Sequence, residues 1–209
     1  NILVSQGNPV GLFYGYQTSG VFATDAEAKS AGNGTYLYML DDSGTRQNFT
    51  AGDVHFVDQN GDGCIDENDK IIIGDPNPDI YGNIFANVMW KNFTLSLGFN
   101  YSLGNDVFNY QRSLLESGSN FWNQTTAVNN RWRYEGQQTD MPRLNYNDPM
   151  GNSRFSDRWI EDGSYLRLKT LRLSYDVPVN LSWLPGLAGW AEATNLFTLT
   201  HYLGADPEF

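Results

Sequence analysis

The sequence predicts an all-β fold made of membrane-length antiparallel hairpins with long loops, and three observations predict it. First, two regions alternate apolar and polar residues over strands of about ten residues, the length a tilted strand needs to cross a bilayer. Second, aromatics make up 14% of the chain, and Gly, Asn, Ser and Thr are abundant, which favours strands and polar loops over a helical bundle. Third, the connections are unequal. Short turns fall at one end of the strands and long segments at the other, as in barrels with short periplasmic turns and long extracellular loops.

The first region, residues 1–79, reads as loop. "GLFYGYQTSGVF" is punctuated by Gly and aromatics, and "TDAEAKSAG" could form a short helical turn. "GDVHFVD" alternates Val54 and Phe56 against Asp53 and His55, a strand-like pattern. Then comes "DQNGDGCIDEND", residues 58–69, with the spacing of an EF-hand calcium loop. Calcium wants six to eight oxygens, and this loop offers Asp58, Asn60, Asp62, the Cys64 carbonyl, Asp66 and Asp69 at positions 1, 3, 5, 7, 9 and 12. Gly63 occupies position 6, where the backbone bends sharply, and Ile65 at position 8 can pack inward. Asp69 stands where Glu is usual, one methylene short for bidentate closure. The alternative is a turn of Asp, Asn and Gly that holds no metal. The flanks argue against a sensor: the upstream one is strand-like, and "KIIIGDPNPD" is β-branched and then broken by Pro76 and Pro78. Any bound Ca²⁺ would be structural.

Residues 80–103 read as a hairpin. Ile80, Ile84, Ala86, Val88 and Trp90 share one phase with Gly82, while Asn83 and Asn87 alternate with Tyr81, Phe85 and Met89 on the other. After the turn Lys91-Asn92, one face carries Phe93, Leu95, Leu97, Phe99 and Tyr101, the other Thr94, Ser96, Gly98, Asn100 and Ser102. Aromatics near the strand ends suit an interfacial girdle. A soluble β-sandwich would also alternate in this way.

Residues 104–163 read as a long loop. Val107, Tyr110 and Leu114 are spaced for one helical face, with Asn105 as the expected cap. Residues 164–209 hold a second hairpin and the start of the next loop. There Leu166 and Leu168 lie on the opposite parity from Leu171, Leu173, Tyr175 and Val177, which predicts a β-bulge near Lys169-Thr170 or a strand that leaves the membrane there. "NLSWLPGLAG" makes the return, and "WAEATNLFTLTHY" sets Ala191, Ala193, Phe197 and Leu199 against Glu192, Thr194, Thr198 and Thr200.

Charge and motifs narrow the function. A net charge of −11 argues against a nucleic-acid partner, and a single cysteine excludes a disulfide within the chain. No run approaches 18 apolar residues, a pattern that does not bear on barrel strands. There is no G-x-S-x-G, H-E-x-x-H, P-loop or dinucleotide fingerprint, and His55 and His201 lie far apart, so an enzyme is not expected. The absence of an initiating Met and the loop-like "GADPEF" suggest a piece of something longer.

Four ordered blocks, "GLFYGYQTSGVF", "GDVHFVDQNGDGCIDENDKIIIGDPNPDIYG", "EDGSYLRLKTLRLSYDVP" and "ATNLFTLTHYLGADPE", resemble the C-terminal barrel region of SusC/RagA-type TonB-dependent outer-membrane transporters. The resemblance implies late strands of a 22-stranded barrel embedded in outer-membrane lipid, with the plug and TonB-contacting segment outside this stretch. It also implies an importer of oligosaccharides or peptides that works with a SusD-like surface lipoprotein. Phe209 is not expected to be the aromatic terminus that barrel assembly reads. Candidate substrate-contacting residues are Trp122, Arg131, Trp132, Arg133 and Trp159, since aromatic faces suit sugar rings and Arg suits carboxylates. Packing of the loops is the competing role for all five. A secreted, calcium-stabilised β-sandwich that binds glycans is the alternative reading of the whole chain.

Overall fold

A computed structural model describes residues 1–32, 34–179 and 186–208. Its strands in chain order are β1 (Ile2–Leu3), β2 (Leu12–Tyr16), β3 (Thr18–Val21), β4 (Tyr38–Leu40), β5 (Arg46–Asn48), β6 (Val54–Phe56) and β7 (Lys70–Gly74). They continue as β8 (Ile80–Trp90), β9 (Phe93–Leu103), β10 (Asp106–Phe108), β11 (Ile160–Asp162), β12 (Tyr165–Val177) and β13 (Leu187–Thr200). The two α-helices are α1 (Asp25–Ala31) and α2 (Tyr110–Leu115). Among the described residues no helix is long and apolar enough to cross a membrane.

The chain divides into two compact units. One, Asn77–Asp106 with Asp162–Phe209, contains a four-stranded antiparallel sheet in the order β13-β12-β9-β8. Its strands are 11, 11, 13 and 14 residues long in chain order, enough for a tilted bilayer crossing. Lys91, at φ 52, turns β8 into β9 with Trp90 opposite Phe93. The turn is tied to β12 by Asn92 Nδ2 donating to the Asp176 carbonyl at 2.7 Å. The return expected from "NLSWLPGLAG" falls largely on residues 180–185, which lie outside the described residues, as does Phe209.

The bulge sits where the parity slip predicts it. Leu168 pairs with Phe99 and Thr170 with Gly98, so Lys169 is the extra residue on β12. Opposite, Leu168 pairs with Phe197 and Thr170 with Thr194, and Asn195 adopts the left-handed φ of 52. The consequence is a change of phase. Leu166 and Leu168 face the same way as Leu171, Leu173 and Tyr175, because their β9 partners Tyr101, Phe99, Leu97, Leu95 and Phe93 share one face. Ile84, Val88, Ala191, Phe197 and Leu199 join them by register. Among the described residues that face carries no charged side chain. Arg167, Arg172, Asp176 and Glu192 all fall on the other, with Arg172 opposite Glu192.

Glycines let aromatics lie flat on both faces. A Cβ at Gly82 would meet the Tyr101 hydroxyl at 3.0 Å, and one at Gly98 would meet the Phe85 ring at 2.9 Å. Much of the uncharged face is exposed, Ile84 at 55%, Val88 at 56% and Leu199 at 60%, while Leu168 is packed among its neighbours at 7%.

The other unit is Asn1–Pro76 with Val107–Glu161, so the two long loop regions fold together. Three small sheets, β1-β2-β7, β3-β6 and β4-β5, surround a core of Tyr16, Phe22, Ala28, Leu37, Phe49, Val54, Phe56, Ile65 and Met150. Helix α1 matches the expected turn. Thr24 caps it by accepting from Glu27 N, and Glu27 reaches back to Ala23 N at 2.7 Å. Helix α2 starts later than expected. Asn109, not Asn105, is the cap, accepting from Arg112 N at 2.9 Å, because Val107 is taken into β10. Asn105 instead uses its carbonyl to accept from Gly163 N.

Candidate functional site

The Asp-rich loop folds around its own carboxylates. Asp58 accepts from Gly61 N and Gly63 N, both at 2.7 Å, Asn60 accepts from Asp62 N at 2.8 Å, and Asp62 accepts from Cys64 N at 2.7 Å. Asp69 is fully buried and closes the loop, accepting from Gln59 N at 2.9 Å and Asp66 N at 2.8 Å. Ile65 is 3% exposed, and its N–H donates to the Tyr38 carbonyl at 2.8 Å, which clips the loop to β4. Burial beside Asp66 and Asp62 pushes the Cys64 thiol up, so Cys64 stays protonated and offers its carbonyl only.

The donor set fits a hard cation in one respect and is incomplete in another. Asp58, Asp62, Asp66 and Asp69 place four carboxylates within twelve residues, and among the described residues none is ion-paired with Lys or Arg. Lys70 is engaged by Glu67 at 2.6 Å. A buried carboxylate such as Asp69 with no countercharge favours a cation beside it. Yet among the described residues no group of three or more His, Cys, Asp or Glu gathers as metal ligands, since the oxygens are turned to backbone N–H groups.

A second acidic centre was hidden by the strand pattern. Asp53, placed on the polar side of "GDVHFVD" by alternation, is fully buried. It accepts from Arg143 Nε at 3.0 Å and Nη2 at 2.8 Å, from Asn152 Nδ2 at 3.0 Å and from Thr50 N at 2.9 Å. Asn152 returns its Oδ1 to Val54 N at 2.8 Å. The clamp joins residues about ninety apart in sequence, which local periodicity has no means of registering. His55, also placed on the polar side, stacks on Phe22 with ring centroids 4.4 Å apart, and burial pushes its pKa down.

The five loop residues proposed to meet substrate separate. Trp159 is 1% exposed, its Nε1 donates to the Arg154 carbonyl, and Arg158 and Arg112 lie over its ring at 5.0 and 5.7 Å. Its ring is taken up by packing within the unit, which leaves it no surface for a solute. Burial and neighbouring Arg112 push Arg158 down to about 10. Trp132 lies over Gly52, where a Cβ would meet the ring at 2.6 Å, and donates to the Ala23 carbonyl at 3.1 Å, so it too is occupied in packing. Arg131 is partly buried against the Val128 carbonyl. Arg133 is exposed, with Nη2 on the Asn129 carbonyl at 2.9 Å, and Trp122 is exposed at 66%. Phe121 and Tyr146, which no sequence motif marks, stack at 5.1 Å with exposures of 91% and 64%. They are 25 residues apart, and no spacing rule links them.

On the charged face of the strand unit, Arg167 and Lys169 are ion-paired. Arg167 is 6% exposed and donates to Thr198 Oγ1 at 2.9 Å and to Glu208 at 2.5 Å, and it also bonds Asp206. Lys169 Nζ reaches Glu208 at 3.1 Å. Arg172 lies over the Trp190 ring at 4.7 Å.

No family model matches the chain. It is 34% identical over 209 residues to TonB-dependent receptor P3 of Formosa agariphila, an alignment covering 99% of this chain and 19% of that protein. The chain belongs to the SusC/RagA-type TonB-dependent receptors. TonB-dependent receptor SusC of Bacteroides thetaiotaomicron is 31% identical over 159 residues, 73% of this chain and 15% of that receptor. A solved structure of the RagAB peptide importer in a closed-closed state superposes over 100% of the chain and 22% of its own, with a TM-score of 0.69 at 23% identity, which shows the barrel fold. The chain thus spans about a fifth of the length of these receptors. As part of a SusC/RagA-type receptor it resides in the outer membrane.

Proposed function

We propose that this segment forms part of the wall and loops of an outer-membrane importer of oligosaccharides or peptides. It works with a SusD-like surface lipoprotein and draws energy through TonB contacts made elsewhere in the receptor. The observation that carries the reading is the separation of faces: one lipid-compatible and uncharged, the other lined with Arg167, Arg172, Asp176 and Glu192 as a wet channel would be. The names of the relatives, receptors and an importer, support transport over catalysis. The loop unit forms the substrate vestibule and the partner seat on this reading, with Trp122, Arg133, Phe121 and Tyr146 the exposed groups available for contact. The test is the full-length receptor lacking residues 104–163. Assembly should persist while uptake is lost, and unchanged uptake removes the loop from the mechanism.

We also propose that Asp58, Asn60, Asp62, the Cys64 carbonyl, Asp66 and Asp69 hold Ca²⁺. The ion would supply positive charge to carboxylates that lack it and stiffen the chain just before β7. Sites of extracellular modules bind with Kd of about 10⁻⁴–10⁻³ M, so occupancy follows the medium. Anomalous scattering from calcium-soaked crystals tests it, and a loop without signal at millimolar Ca²⁺ refutes it.

A further inference from the structure

Strand β13 ends at Thr200, beside Tyr165. From there the chain doubles back along the inward face. Asp206 and Glu208 arrive at Arg167, which pairs with Thr198 two residues down the strand, a retreat of about 7 Å at strand rise. Arg167 uses its Nε on Thr198 and its two terminal nitrogens on Glu208 and Asp206, while Lys169 takes Glu208 from the side. Asp206 also accepts from Glu208 N at 2.9 Å, and the Arg167 guanidinium holds its carboxyl below the usual range. Pro207, buried between the two acids, fixes φ and lowers the entropy cost of seating both.

The bulge is what makes the seat. Without the extra residue at Lys169, Arg167 would share the face of Leu171 and Leu173 and point to lipid. An arginine and a lysine brought together on a channel wall form an anion seat, because a guanidinium binds carboxylate through two parallel N–H donors.

We propose that Arg167 and Lys169 form an anion-binding site on the inner wall, and that Asp206 and Glu208 are its resident intramolecular ligand. Residues 201–208 are then a strap that competes with carboxylate groups on a passing solute. Exchange replaces one guanidinium–carboxylate pair by another, so it costs little desolvation beyond that already incurred. The inference rests on the importer reading for its biological use, but the binding claim stands apart from uptake.

Competition has a thermodynamic signature: apparent affinity falls by the fraction of time the seat is free. The experiment uses the full-length receptor in detergent and fluorescent hexaglutamate as probe, read by anisotropy, with hexaglutamine as control. The double variant Asp206→Asn/Glu208→Gln should bind hexaglutamate at least tenfold more tightly than the parent, with hexaglutamine unchanged. Adding Arg167→Gln, or Lys169→Gln where that variant does not assemble, should abolish the gain. Heat-modifiable migration on gels confirms a folded barrel in every variant. No gain in the double variant, or a gain that survives loss of the cationic residue, overturns the proposal. Absence of uptake by the parent receptor, with this binding pattern intact, would count against the importer reading alone.

Discussion

Replacing Asp53 by Ala probes the clamp of the loop unit. The carboxylate is fully buried and receives four principal donors: two from Arg143, one from Asn152 and one from Thr50 N. Removing one partner of a buried ion pair costs about 3–5 kcal/mol. Arg143 is 31% exposed on its side chain, so water can reach the stranded guanidinium, and the lower end, about 3 kcal/mol, applies. That energy corresponds to roughly a hundredfold rise in the opening constant of the unit. Hydrogen exchange of the full-length receptor reads it directly, because the Val54 N–H is held by Asn152, itself oriented by Asp53. Amides of β6 should exchange roughly a hundredfold faster in Asp53→Ala, while those of β9 stay unchanged. An effect on β6 smaller than about threefold would refute the account of the clamp.

Ile84→Arg, on the uncharged face, should lower barrel stability by about 2–4 kcal/mol, whereas Asn83→Arg on the other face should be tolerated; urea titration in lipid checks both. Gly52→Ala should loosen the loop unit, since φ is +88 and the new methyl would strike Trp132; exchange of the Trp132 indole N–H, held by Ala23, should rise. Chelation should lower the thermal midpoint of the receptor without changing strand content, and Asp62→Ala should remove that sensitivity to chelator. Asp206 has a depressed folded pKa, so its contribution is present above the unfolded value of about 3.9 and disappears as pH falls further. Exchange protection of the Glu208 N–H, corrected for intrinsic rate, should therefore be flat from pH 5 to 8 and fall below about pH 4.

The strands were legible because their information is local. Period-2 alternation in residues 93–101 fixes two faces, and the parity slip between Leu168 and Leu171 announces the bulge before any partner strand is known. Turn chemistry likewise announced α1 through Thr24 and Glu27. The start of α2 was misplaced because a pairing between β10 and β11, more than fifty residues apart, claimed Val107. The loop site was legible only as residue types. The Asp-rich loop has a motif, but Asp53 with Arg143 and Asn152 is assembled from three distant stretches, and alternation pointed Asp53 the wrong way. Tryptophan attracts a binding role in a sequence, yet Trp159 and Trp132 are anchors, and burial alone separates them from exposed Trp122.

The central claim is that hydrocarbon covers the uncharged face, with a change of phase at Lys169. Nitroxide labels placed singly along residues 165–175 of the full-length receptor in liposomes report it through accessibility to oxygen and to a water-soluble nickel chelate. Oxygen access should peak at Leu166, Leu171 and Leu173, an even position followed by two odd ones, with nickel access in antiphase. An unbroken alternation through Lys169, or nickel access at all three leucines, would contradict it.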